Sequence, residues 1–112
     1  MLVNLNPSNA AINVAEDIRG AKTPATVSVA TTLTVGLAAN TARACYSLYN
    51  AGPATVYLRE GVTVSSTLYE VLIPAGFYYK EEFLSARYTG QVSLITASGT
   101  ASVQVSEGVL TS

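Results

Sequence analysis

The sequence contains no histidine and no tryptophan, and its single cysteine is Cys45. Without histidine the chain lacks the commonest general base and the commonest zinc ligand, and a Ser-His-Asp triad is impossible. A lone cysteine excludes an intrachain disulfide and a thiolate zinc site within one chain. No calcium-binding loop or glycine-rich phosphate loop occurs. These absences predict that the protein is not an enzyme, has no catalytic or metal-binding residues, and uses no cofactor.

Charged residues are also scarce. They make up 12% of the 112 residues, where an average domain has about 25%, and the net charge is −1. Scattered cations cannot neutralise several phosphates at once, so we expect no nucleic acid partner. The longest uncharged stretch, residues 23–42, contains too many Thr, Ser, Asn and Pro residues to span a bilayer, so we expect no membrane partner. We also expect no small-molecule substrate.

The polar surface residues are mainly Ser and Thr rather than Lys and Glu. Removing a hydroxyl group from water costs far less than removing an ion, so strands rich in Thr present faces that can be buried cheaply. Together with the low charge, this pattern predicts that part of the surface is covered by other protein molecules.

The composition divides the chain into an N-terminal arm, residues 1–24, and a β-rich domain, residues 25–112. The arm contains apolar residues but no evident strand partner, and we expect it to contact a neighbouring molecule; the alternative is an extra edge strand packed on its own domain. The arm residues assigned to this interface are Leu2, Val3, Leu5 and Ile12.

The domain contains about seven short segments of alternating or β-branched character, separated by turn residues. This spacing predicts an all-β fold, namely an antiparallel β-sandwich or jelly-roll-like domain preceded by the extended arm. Two antiparallel hairpins are expected, one joining residues 44–50 to 55–59 and one joining 92–96 to 101–106. In the last strand Ala101, Val103 and Val105 are expected to face the core, and the residues between them to face outward.

Seven tyrosines stand out in a chain with so few aromatic residues of other kinds. Because tyrosine is favoured in strands and at protein interfaces, Tyr78, Tyr79 and Tyr88 are the candidate interface residues of the domain. The alternative is a sugar-binding platform to which Tyr49 and Tyr57 would also contribute.

Three sequence motifs carry a resemblance to a known group of proteins. They are Tyr-Ser-Leu-Tyr-Asn-Ala-Gly-Pro-Ala-Thr-Val-Tyr-Leu at residues 46–58, Leu-Ile-Pro-Ala-Gly at 72–76, and Ala-Ser-Gly-Thr-Ala-Ser-Val-Gln-Val-Ser at 97–106. The segment they span resembles small virion proteins of tailed bacteriophages, several of which are capsid decoration, or cement, proteins.

The resemblance implies a non-enzymatic structural protein that binds the major capsid protein and stabilises the head by bridging its subunits. It also implies self-association as a homotrimer, and a location on the capsid surface of a virion assembled in the host bacterial cytoplasm. The alternatives are a receptor- or glycan-binding tail or fibre module, and a head–tail or tail structural subunit.

Overall fold

The computed structural model describes residues 20–83 and 86–110, and their regular structure consists of eight β-strands. The strands are β1 (Thr23–Val29), β2 (Thr34–Leu37), β3 (Arg43–Pro53), β4 (Val56–Glu60), β5 (Val71–Ile73), β6 (Tyr78–Glu82), β7 (Val92–Thr96) and β8 (Ala101–Val109). Within these two ranges no helix is long and apolar enough to cross a membrane. The candidate arm residues Leu2, Val3, Leu5 and Ile12 lie outside the described residues.

The strands form two antiparallel sheets. The first sheet has the order β1-β8-β3-β6 and the second has the order β2-β7-β4-β5. The pairing is nested: β1 pairs with β8, β2 with β7, β3 with β6 and β4 with β5. A chain that folds back on itself in this way and alternates between two layers is a jelly roll. The predicted fold class is therefore confirmed, with eight strands in the described residues.

The core lies between the two sheets and is built almost entirely from aliphatic side chains. Strand β8 shows how the sequence specifies it, because Ala101, Val103 and Val105 are buried while Ser102 and Gln104 are exposed, as their alternation predicted. The fully buried aliphatic side chains are Val29, Leu48, Val56, Leu58, Ile73, Val92, Leu94 and Val103. They come from both sheets, so each sheet covers the apolar face of the other.

Both predicted hairpins are wrong. Strands β3 and β4 lie in different sheets, and so do β7 and β8, although each pair is joined by a short connection, residues 54–55 and 97–100 respectively. The reason is that β3 already has β8 on one side and β6 on the other, which leaves no free edge for β4. The short connection after β3 therefore leads the chain from the first sheet to the second.

Asn50 holds this crossing in place. Its side chain is fully buried, and its Nδ2 donates hydrogen bonds to the carbonyls of Ala54 and Ile73, each at 2.8 Å. Its Oδ1 accepts a bond from the Gly52 amide at 2.8 Å, where a φ of 91° favours glycine. The two bonds that Nδ2 donates tie the end of β3 to Ala54, two residues before β4, and to Ile73 of β5, whereas the bond from Gly52 lies within β3.

Arg43 performs a similar role at the opposite end of β3. The side chain is 0% exposed, and its Nε donates to Glu107 Oε2 at 2.6 Å. The guanidinium also donates to three carbonyls, those of Ala38 at 2.6 Å, Gly90 at 2.8 Å and Tyr88 at 3.1 Å. One buried cation thus joins two loops to strand β8.

Strand β2 lies so close to the core at Gly36 that a side chain at this position would press on Leu94. The register of its pairing with β7 shifts between Val35 and Leu37, and Gly36 lies at the shift. A Cβ atom at Gly36 would lie 2.7 Å from Leu94 Cδ1. Glycine at this position therefore lets the edge strand lie against a leucine of the core.

Candidate interaction surfaces

The structure separates the three tyrosines that were predicted to form one interface. Tyr78 is 73% exposed on the outer face of the first sheet. Tyr79 is half-buried and packs on Tyr46 with a centroid separation of 6.2 Å. Tyr88 is also half-buried, and its hydroxyl donates to the carbonyl of Gln91 at 2.7 Å. Tyr78 is thus the only one of the three that is largely open to a partner.

Tyr46 and Tyr79 each donate a hydrogen bond to a carboxylate. Tyr46 bonds Glu60 and Tyr79 bonds Glu81, both at 2.6 Å. Burial, followed by the hydrogen bond to the carboxylate, raises the pKa of both phenols well above 10.0. A phenol held in its neutral form is a poor base and a poor nucleophile, so this pairing serves packing. Residues 20–83 and 86–110 hold no group of three acidic, cysteine or histidine residues placed to bind a metal ion.

The outer face of the second sheet carries a row of apolar residues, next to a row that contains Ser93 and Arg59. Tyr57 of β4 lies opposite Leu72 of β5 on one side and Ile95 of β7 on the other, so these three side chains form one row across the strands. Leu33 and Val35 continue the surface at the β2 edge. Tyr69, which stands edge-on to Tyr57 at 4.9 Å, extends it beyond β5. We call these six residues the apolar face; Leu33, Val35, Tyr69 and Leu72 are 39–47% exposed.

The outer face of the first sheet has a different chemistry and is called the hydroxyl face. Its members on β1, β8 and β3 are Thr26, Ser28, Ser102, Gln104, Ser106, Ser47 and Tyr49, with Tyr78 opposite Tyr49 on β6. Several of these polar groups bond one another across strands. Thr26 donates to Gln104 at 2.8 Å, and the hydroxyls of Ser47 and Ser106 are 2.8 Å apart. Such a face can be covered without leaving those groups unpartnered.

The hydroxyl face carries few charged groups. Lys80 and Glu82 on the edge strand β6 form a salt bridge at 3.1 Å, with side chains 52% and 62% exposed. Lys22 donates to Ser47 at 3.0 Å, so its ammonium group reaches the two central strands β3 and β8. The face is therefore mainly neutral, with one cation near its centre.

The residues of the apolar face were missed by the interpretation of the sequence. Strand β7 carried a usable signal, because both alternating sets of its side chains include apolar residues: Val92 and Leu94 on one side and Ile95 on the other. A strand that is apolar on both faces is typical of one that is covered on both faces. The same reasoning applies to β5, where Leu72 is exposed between Val71 and Ile73.

The five tyrosines of the predicted sugar platform are distributed among different environments. Tyr57 belongs to the apolar face, Tyr49 and Tyr78 to the hydroxyl face, and Tyr79 and Tyr88 are half-buried. They therefore do not form a single stacking surface.

No protein-family model and no curated protein matches the sequence. The fold is similar to that of a chain solved under the description "Bacillus endospore appendages form a novel family of disulfide-linked pili". The TM-score is 0.51 and the identity is 16%, over 96% of this chain and 100% of the other. At this identity the similarity shows a shared fold and no more.

Proposed function

We propose that the chain is a non-catalytic structural subunit, held in a protein assembly by the two outer faces of its sandwich. The observation that carries this proposal is the apolar face. Scattered exposed apolar residues are ordinary, but a row across three neighbouring strands, extended at both ends by further exposed apolar residues, is typical of an interaction site. Covering one such side chain completely contributes about 1.5–3 kcal/mol before ordering costs.

The hydroxyl face supports the same proposal from the other side of the molecule. Its cross-strand hydrogen bonds remain formed when water is removed, so the cost of covering it is small. A molecule with a row of apolar residues on one outer face and mainly neutral, paired polar groups on the other has two surfaces suited to neighbouring subunits. Neither surface presents the convergent polar and ionisable groups of a small-molecule site.

Self-assembly is the kind of association that we favour. The similar chain is described as forming pili, and a sandwich with two different outer faces is suited to repeated head-to-tail contacts. The covalent linkage in that description does not carry over, because this chain has one cysteine and Cys45 is buried. The proposed assembly is therefore noncovalent.

A phage capsid as the assembly, with the major capsid protein as partner and a homotrimer as the unit, remains a prediction from the sequence motifs. The same is true of a tail or fibre location. These expectations share with the main proposal the requirement that an outer face be covered.

The test compares two variants of the full chain, in each of which lysine replaces one exposed apolar residue. Leu72→Lys places a charge on the apolar face, whereas Val62→Lys places one on an exposed apolar residue in the loop after β4, outside that face; Val62 is 68% exposed and Leu72 47%. We expect the wild type and Val62→Lys to form large species by sedimentation velocity and ordered particles by electron microscopy. Leu72→Lys should remain small while keeping its circular dichroism spectrum.

Two results would overturn the proposal. One is a wild-type chain that stays monomeric at high concentration and does not sediment with emptied phage heads. The other is a Leu72→Lys variant that assembles as well as Val62→Lys. Sedimentation with phage heads alone, without self-assembly, would instead support the capsid as the partner.

A further inference from the structure

The two sheets have four edge strands, and three of them are protected against pairing with another chain. Strands β2 and β5 have only four and three residues, and β2 is interrupted by a register shift. Strand β6 carries Lys80, Glu81 and Glu82. Short length, irregularity and charge are the usual means by which sheet edges avoid association.

Strand β1 lacks all three protections. It has seven residues, Thr-Pro-Ala-Thr-Val-Ser-Val, with continuous pairing to β8 and no charged side chain. Pro24 is the only residue of β1 without a backbone N–H, so the strand lacks one hydrogen-bond donor. Among residues 20–83 and 86–110, no strand pairs with the second edge of β1, and an edge of this length presents backbone groups that a further strand can bind.

We propose that β1 pairs antiparallel with β1 of a second copy, about a two-fold axis at Thr26. The inference rests on the proposed self-assembly and identifies one of its contacts. It would join the first sheets of two subunits into one sheet of eight strands. The hydroxyl faces of the two copies would then form one continuous surface.

The sequence of β1 is suited to pairing with itself. With Thr26 opposite Thr26, Ala25 lies opposite Val27 and Pro24 lies opposite Ser28, so no like charges meet. A Thr–Thr pair is a favourable cross-strand contact. The same operation on the whole of β6 would place Lys80 opposite Lys80, which is unfavourable.

The pairing also covers apolar surface at the rim of the core. Ala25 is exposed and Val27 is half-buried, and both lie on the inner side of the first sheet with Val29. Opposite the same residues of a second copy, they would continue the aliphatic layer from one sandwich to the next. The edge therefore gains apolar contacts as well as backbone hydrogen bonds.

The test uses cysteine pairs in a Cys45→Ala background of the full chain. Directly opposite residues of an antiparallel pair have Cα atoms about 4.5–5.5 Å apart, within the range of a disulfide. Thr26→Cys is therefore expected to form a disulfide-linked dimer under mild oxidation. Ser28→Cys is the matched control, because it is exposed on the same face but would lie about 13 Å from its counterpart.

We expect about tenfold more dimer from Thr26→Cys than from Ser28→Cys, because only the former meets the distance limit. Adding Pro24→Cys to Ser28→Cys should restore dimer formation, since these positions are opposite in the proposed register. Unchanged circular dichroism under reducing conditions would establish that each variant is folded.

Equal dimer yields from the two single variants would overturn the proposal, because they would indicate random collision. Dimer formation by Thr26→Cys only after deletion of residues 1–19 would also overturn it, since the chain's own segment would then occupy the edge. If the wild type assembles but Thr26→Cys forms no dimer, β1 pairing is wrong while the proposed structural function stands.

Discussion

Replacing Glu107 with glutamine is the sharpest test of what holds the end of the sandwich together. The substitution keeps the size of the side chain but removes the charge that faces Arg43, which is fully buried. Breaking a buried ion pair from one side costs about 3–5 kcal/mol, because the remaining charge is left without compensation. Glu107 is itself 19% exposed, so the lower end of this range applies, about 3 kcal/mol.

The measurement is urea or thermal unfolding of the wild type and the variant, followed by circular dichroism. For a domain of this size a loss of about 3 kcal/mol lowers the Tm by roughly 12 °C. The control is Glu82→Gln, which breaks the exposed salt bridge with Lys80 and is expected to change stability by less than about 0.5 kcal/mol. Equal effects of the two substitutions would refute the reasoning that burial, rather than pairing alone, sets the cost.

Three further predictions concern single residues. The folded state holds the Tyr46 proton, whereas the unfolded chain releases it near pH 10. The free energy of unfolding should therefore fall as pH rises above 10, by about 1.4 kcal/mol per pH unit from this group. Measured from pH 9 to 11, this free energy should decline less steeply in Tyr46→Phe, and an unchanged slope would contradict the prediction. Asn50→Ala leaves three backbone groups without their partner, those of Gly52 and Ile73 buried and that of Ala54 half-buried, and should cost about 3 kcal/mol in urea unfolding. A loss under about 1 kcal/mol would mean that water replaces the amide. Gly36→Ala should cost about 1–3 kcal/mol by pressing on Leu94, and Leu94→Val in the same chain should recover part of the loss; no recovery would place the strain in the backbone instead.

The order of inward and outward side chains could be predicted from the sequence, because it depends only on the alternation of neighbouring residues. Ala101, Val103 and Val105 illustrate this. Which strands pair could not be predicted in the same way. Gly52 and Pro53 are typical of a hairpin turn, yet they are equally compatible with a strand end from which the chain passes to the other sheet.

The interaction surfaces were predicted only in part. Tyr78, a candidate interface residue, lies on the outer face of the first sheet, whereas Tyr79 beside it packs against the core. The apolar face depends on the registers that bring Tyr57, Leu72 and Ile95 into one row, and these residues come from three strands that are distant in sequence. Such a row emerges only when long-range pairing is known.

Nested pairing also imposes an order of events during synthesis. The partners of β1 lie in β8, from Val29 opposite Ala101 to Thr23 opposite Glu107, which are separations of 72 to 84 residues. At roughly 5–20 residues per second, β1 waits about 4–16 s on the ribosome for the strand that completes its sheet. During that interval β3 also lacks its neighbour β8, so the centre of the first sheet is missing. A nascent chain therefore cannot present a finished hydroxyl face, and subunits become competent to join one another only after translation has reached the last strand.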